Sequence, residues 1–128
     1  MRWISLILAV LALVSSFQPS ETVRIISLPP NPRVGERVIL HLEDVQFPTM
    51  CSWFRGNGQS KNRQILRAEF DRVIARGEAY TGREDLWRAC SLIIQNVQAS
   101  DSGPYTVSML ELREDHFKTA VGHLQVSS

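Results

Sequence analysis

Beyond Thr22 the chain offers no apolar run with helical spacing, and this constrains its fold more than any other feature. Short runs with period-two alternation are cut off by Pro, Gly, Asn or Asp, which is the pattern of an all-β sandwich or barrel. Val23–Ser27 is a predicted strand. Leu28-Pro29-Pro30-Asn31-Pro32 cannot pair as a central strand, because each proline lacks an N–H, and is read as a bend where an edge strand changes sheets. Arg37–Leu42 alternates, with Val38, Leu40 and Leu42 on one face. Ser52–Arg55 follows, with Trp53 as a core residue, and Gly56-Asn57-Gly58 supplies a turn. Arg63–Ala68, Arg72–Ala75, a strand entered through Tyr80–Arg83, Ser91–Val97, Tyr105–Leu110 and Ala120–Val126 complete a set of about nine strands.

The first twenty residues have a different character. Met1-Arg2-Trp3 precedes an almost unbroken apolar stretch, Ile4–Val14. As a helix it would reach only about 16 Å, roughly half of a bilayer's hydrocarbon core. It is therefore read as a signal peptide over residues 1–20, cleaved after Ser16 or Ser20, with the mature domain at 21–128. No second apolar run follows, so no membrane anchor is expected in this chain. The expected location is secreted or extracellular, or the cell surface if a longer anchored isoform exists. Fourteen basic and thirteen acidic residues are interspersed, unlike the basic stripe of a nucleic-acid binder. Asn31, Asn57, Asn62 and Asn96 all lack the hydroxyl residue of a glycosylation sequon.

Two groups of residues carry a resemblance. Leu92-x-Ile94-x-x-Val97-x-x-x-Asp101-Ser102-Gly103-Pro104-Tyr105 is similar to the signature that crosses strands E and F of immunoglobulin domains, where the tyrosine hydroxyl bonds back to the preceding corner. Trp53 follows Gly35-x-x-Val38-x-Leu40 at the interval between strands B and C. Arg83, eighteen residues before Asp101, matches the arginine that pairs with this aspartate in variable domains. The blocks Ser52-Trp53-Phe54-Arg55-Gly56, Asn62-Arg63-Gln64-Ile65, Tyr80-Thr81-Gly82-Arg83-Glu84 and Ser91-Leu92-Ile93-Ile94-Gln95-Asn96-Val97 further resemble the N-terminal domain of the carcinoembryonic antigen-related cell adhesion molecules, from about Glu21 to Val126. The resemblance implies a variable-type immunoglobulin sandwich of two antiparallel sheets. It also implies the absence of the usual disulfide between strands B and F, whose positions hold Leu42 and Val107; apolar packing can fill that space.

The same resemblance implies what the domain does. In that family the sheet of strands G, F, C, C′ and C″ mediates homophilic and heterophilic adhesion, and microbial adhesins dock there. Carried over by position, the partner-binding face comprises Ser52 and Phe54 on strand C, Gln59 in the following loop and Gln64 on C′. Ser108 and Leu110 on strand F and His116 in the loop before strand G complete it. Phe54 and Leu110 are expected to expose apolar surface within a polar rim, a pattern that favours association; packing of Phe54 beneath neighbouring strands is the alternative. The expected partners are proteins, either self, same-family members or microbial adhesins. A soluble ligand or decoy for an immune receptor or adhesin is the second reading. The family's tyrosine is replaced by Phe54, its glutamine by Ser108, its isoleucine by Leu110 and an aromatic residue by Cys51, while Phe70–Glu78 does not match.

Cys51 and Cys90 are the only cysteines. Each lies two residues before an inward residue, Trp53 or Leu92, so alternation points both inward from opposite sheets at the same end of the sandwich. An intramolecular bridge is expected, closing a loop of roughly 40 residues and stabilising the fold by about 4 kcal/mol at most. Two free buried thiols or an intermolecular bridge are the alternatives.

Catalysis finds no support. His41, His116 and His123 have no metal spacing, and there is no Cys-x-x-Cys and no Gly-x-Ser-x-Gly elbow. No cofactor, metal or enzymatic activity is expected. Arg63, Arg67, Arg72 and Arg76 are interleaved with Glu69, Asp71 and Glu78, and are read as an ordinary solvated face, with heparin or phosphate binding as the alternative.

Overall fold

The structure is a computed structural model and describes residues 23–128. The expected signal peptide at 1–20 lies outside the described residues. Nine strands form: β1 (Arg24–Leu28), β2 (Val38–Glu43), β3 (Pro48–Arg55), β4 (Gln64–Glu69), β5 (Arg72–Arg76), β6 (Glu84–Leu86), β7 (Leu92–Ile94), β8 (Gly103–Glu111) and β9 (Lys118–Leu124). They pair antiparallel into a four-stranded sheet, β1-β2-β7-β6, and a five-stranded sheet, β5-β4-β3-β8-β9. In the lettering of variable domains β3, β4 and β5 correspond to C, C′ and C″, and β8 and β9 to F and G.

Alternation builds the core. Val38, Leu40 and Leu42 on β2 and Leu92 and Ile94 on β7 face Trp53 on β3 and Tyr105, Val107 and Met109 on β8, all essentially excluded from solvent. The proline segment turns the chain as expected. After Leu28 it leaves the four-stranded sheet, and Arg33 bridges in parallel to Ser127 beyond β9, with the Ser127 N–H donating to Pro32 O at 2.9 Å. β9 also passes close to β1: a Cβ on Gly122 would come within 2.6 Å of the Ile25 Cβ.

β8 and β9 both begin two residues earlier than expected, at Gly103 and Lys118, and three further departures from expectation have local reasons. β3 begins at Pro48 rather than Ser52, because Pro48 and Met50 pair with Glu111 and Leu110 on β8. A proline is tolerated at the first position of a strand. β7 ends at Ile94 rather than Val97. Asn96 takes a left-handed φ of 48°, and the N–H groups of Gln95 and Val97 donate to Arg83 O and Glu36 O in place of a ladder. Cys90 is not a strand residue. It closes a short 3₁₀ turn, Arg88–Cys90, in which Ala89 and Cys90 both adopt positive φ.

That turn is held from three sides. Cys90 is disulfide-bonded to Cys51 in the middle of β3, with Cα atoms 6.3 Å apart. The Trp53 indole N–H donates to Cys90 O at 2.8 Å, and the Asp71 carboxylate accepts the Cys90 N–H at 3.1 Å. The bridge joins the two sheets through the core, while Leu42 and Val107 are buried as apolar side chains.

Candidate recognition surface

The outer face of the five-stranded sheet is laid out by register. Ser52 on β3 lies between Arg67 on β4 and Ser108 on β8, and Ser108 is followed by Thr119 on β9. One row along, Phe54 lies between Gln64 and Thr106, with Val121 beyond. In the other direction Met50 lies between Glu69 and Leu110. A shallow cleft of about 270 Å³ opens on this face. It is lined by Met50, Cys51, Ser52, Phe54, Gln59, Arg67, Ser108 and Phe117.

Of the residues singled out in the sequence, Ser52, Phe54, Gln59 and Ser108 meet at this cleft. Gln64 and Leu110 lie on neighbouring rows, half-buried, outside it. His116 is exposed in the loop before β9, where its Nδ1 lies 3.3 Å from Asp115. Met50, Arg67 and Phe117 line the cleft and were missed. Extending the alternation back from Ser52 would have found Met50, and extending it back from Thr119 would have found Phe117.

Phe54 requires a correction: only 6% of it is exposed, although it does not belong to the inter-sheet core. The cause is the loop between β3 and β4, which folds back over the sheet instead of projecting as a simple turn. Gly58 N–H donates to Thr106 Oγ1 at 2.9 Å, and the Thr106 hydroxyl donates to Gly56 O at 2.7 Å. Gly56 and Gly58 carry φ of 91° and 135°, which only glycine adopts without strain. Gln59 then reaches across β8, its Nε2 3.4 Å from Thr119 Oγ1. The loop is thus fastened to Thr106, and its Gln59 stands with Phe54 and Ser108 at the cleft. The exposed apolar side chain at the cleft is Phe117, at 53%.

Two charged clusters fix the ends of the sheet. At one end Arg83 lies bidentate on Asp101, with N···O distances of 2.6 and 2.9 Å, and Asp101 also accepts the Gln98 N–H at 2.7 Å. Arg55 sits between two carboxylates, 2.7 Å from Glu84 and 2.8 Å from Asp101. Its guanidinium stacks over the Tyr105 ring, and the Tyr105 hydroxyl donates to Asp101 O at 2.7 Å. Burial works to raise the Asp101 pKa, but hydrogen bonds from Arg83, the Gln98 backbone and Arg55 outweigh it and hold the carboxyl below its ordinary range. Burial pushes the Tyr105 phenol up. Arg55 and Glu84 were not foreseen as members of this cluster.

At the other end Glu111 Oε1 accepts the N–H groups of Gln46 and Phe47 at 2.6 and 3.0 Å, and Lys118 Nζ reaches Oε2 at 3.1 Å. Burial opposes ionisation here too, yet the two backbone donors and Lys118 hold the Glu111 pKa down. Glu111 thereby orders the loop entering β3 and the start of β9, beside the cleft. Among the described residues no group of three or more His, Cys, Asp or Glu is placed to hold a metal ion, and no helix is long and apolar enough to cross a membrane.

Residues 31–127 match the family model of the immunoglobulin V-set domain. The chain belongs to the immunoglobulin V-set family. This V-set domain has its sequence relatives among the carcinoembryonic antigen-related cell adhesion molecules. It is 34% identical over 91 residues to mouse "Cell adhesion molecule CEACAM18", covering 70% of this chain and 24% of that protein's length. Among solved structures it is similar to murine CEACAM1b, with a TM-score of 0.74 and 27% identity, over 83% of this chain and 54% of that one. It is also similar to a chain of the mouse coronavirus receptor-binding domain complexed with its murine receptor, with a TM-score of 0.70 and 26% identity, over 81% of this chain and 53% of that one. The V-set domain thus spans about a quarter of the length of its matched sequence relative and about half of these structural ones.

Proposed function

We propose that this V-set domain is an extracellular protein-recognition module that binds through the outer face of its five-stranded sheet. The observation that carries this reading is the cleft itself. Apolar surface from Met50 and Phe117 is flanked by Gln59, Arg67, Ser52 and Ser108, on a sheet face whose neighbouring residues are locked by hydrogen bonds. An apolar patch with a polar rim on a rigid support loses little conformational entropy on binding. On this reading residues 1–20 direct export and are removed after Ser16 or Ser20, and Leu42 and Val107 replace the B–F bridge.

The primary mode is homophilic adhesion. Heterophilic recognition, including capture by a microbial or viral protein, is supported by the likeness to a chain of the complex between a mouse coronavirus receptor-binding domain and its murine receptor. Bead aggregation tests the proposal, because multivalent display amplifies weak contacts. Beads coated with the domain should clump, and beads carrying Phe117→Asp should not. Clumping that survives Phe117→Asp would remove this face from the account.

A further inference from the structure

A second concave surface lies on the opposite side of the molecule. β5 and β6 are the terminal strands of their sheets on the same flank of the sandwich, and they do not pair. A groove of about 440 Å³ runs along this flank. Leu86 and Ile93 line it, with Tyr80 and Trp87 at its sides and Arg37, Arg76 and Asp85 among its charged residues. The sequence places these arginines far apart. The fold also gives Arg76 and Arg67, both members of the basic run, to different surfaces: Arg67 pairs with Ser52 and borders the cleft on the outer sheet face.

The charges along the groove do not cancel. Arg83 is occupied by Asp101, and Glu84 is occupied by Arg55 and Thr81. Arg37 and Arg76 are exposed and have no carboxylate partner among the described residues. Arg88, outside the lining but also exposed and without such a partner, stacks over the lining residue Trp87 at 5.7 Å, and Arg76 stacks over Tyr80 at 5.2 Å. Of the carboxylates that line the groove, Asp85 alone has no arginine partner among the described residues, and its Oδ1 already accepts the Leu86 N–H at 2.8 Å; Asp71 stands at the Arg88 turn, where it accepts the Ala89 and Cys90 N–H groups. Stacking on an aromatic ring orients a guanidinium while leaving its in-plane donors free, which suits bidentate capture of an oxyanion.

We propose that this groove binds a sulfated saccharide. Three cations on separate elements call for a ligand carrying several oxyanions on a rigid frame, rather than a single carboxylate. The volume is that of a small-ligand site. The groove is short and the chain carries a net charge of only +1, which does not suit the extended phosphate contacts of a nucleic acid. The proposal rests on the extracellular part of the functional reading and is independent of the sheet-face cleft.

A heparin-derived hexasaccharide, titrated into the domain at low and at physiological salt, tests it. Saturable one-to-one binding that weakens with salt is expected. The double variant Arg37→Ala/Arg76→Ala should lose at least about tenfold in affinity, consistent with two charge-assisted hydrogen-bonding groups. Arg76→Lys, which keeps the charge but not the stacked fork, should lose less. Arg67→Ala should bind as wild type, and thermal unfolding should show every variant folded. Absence of binding at low salt, an equal loss in Arg67→Ala, or equal binding of the desulfated hexasaccharide or of a single-stranded oligonucleotide would each overturn the proposal. Bead aggregation would be untouched by any of these outcomes, so the two readings fail separately.

Discussion

The Trp53 indole donates its N–H to the carbonyl of Cys90, the residue whose sulfur is bonded to Cys51 two positions before Trp53. One turn of the four-stranded sheet is thereby tied to β3 by a covalent bond and a hydrogen bond acting side by side. The disulfide closes a separation of 39 residues. Replacing both cysteines by alanine should lower unfolding free energy by up to about 4 kcal/mol in denaturant titrations. An unchanged midpoint would mean that the turn is held by Asp71 and Trp53 alone.

Arg55 is the cation on which Glu84 depends, since the Glu84 side chain is fully excluded from solvent. Arg55→Ala should cost about 3 kcal/mol or more, because it strands a buried carboxylate. The double variant Arg55→Met/Glu84→Gln should recover part of the loss. Chemical denaturation of both proteins checks this, and a single variant as stable as wild type would show the pair to be solvated.

Acid should unfold the domain through Asp101 and Glu111. Both pKa values are lowered in the folded state, so the unfolded chain takes up protons first as pH falls. Their stabilising contribution is complete above the ordinary carboxylate range, about 4, and is lost as pH drops through the lower folded values. Unfolding free energy measured from pH 6 to pH 2 should fall mainly below about pH 4. Asp101→Asn should be less stable at neutral pH and show a shallower decline.

Phe54 and Phe117 should behave in opposite ways. Truncating the covered Phe54 to alanine should cost about 3 kcal/mol of stability. Truncating the exposed Phe117 should leave stability within about 0.5 kcal/mol of wild type while weakening association. Thermal melts alongside a binding assay separate the two. A stable Phe54→Ala would mean that the β3–β4 loop does not cover that side chain.

The fold was legible because its information is local. Alternation in Val38-Ile39-Leu40-His41-Leu42, the proline bend and the Asp101–Tyr105 corner each name their own place. The site was only half legible. Ser52 and Ser108 follow from strand parity, but the burial of Phe54 goes with a loop held by the Gly58 N–H donating to Thr106 Oγ1 and the Thr106 hydroxyl donating to Gly56 O, about fifty positions away, which no local pattern encodes. Alternation carried back from Leu92 gave Cys90 its inward direction, but not the 3₁₀ turn with positive φ at Ala89 and Cys90 in which it sits. Glu111 and Arg55 read as ordinary strand charges until the register brings Gln46, Phe47 and Lys118 to one and Glu84 and Asp101 to the other.

Sedimentation velocity of the V-set domain across micromolar concentrations tests the central claim most directly, with Ser52→Arg, Phe117→Asp and, as a control on the other sheet, Asp85→Arg beside wild type. A reversible dimer lost in Ser52→Arg and Phe117→Asp but kept in Asp85→Arg is the predicted result. A monomer at every concentration, or a dimer indifferent to both cleft substitutions, would contradict homophilic recognition through this sheet.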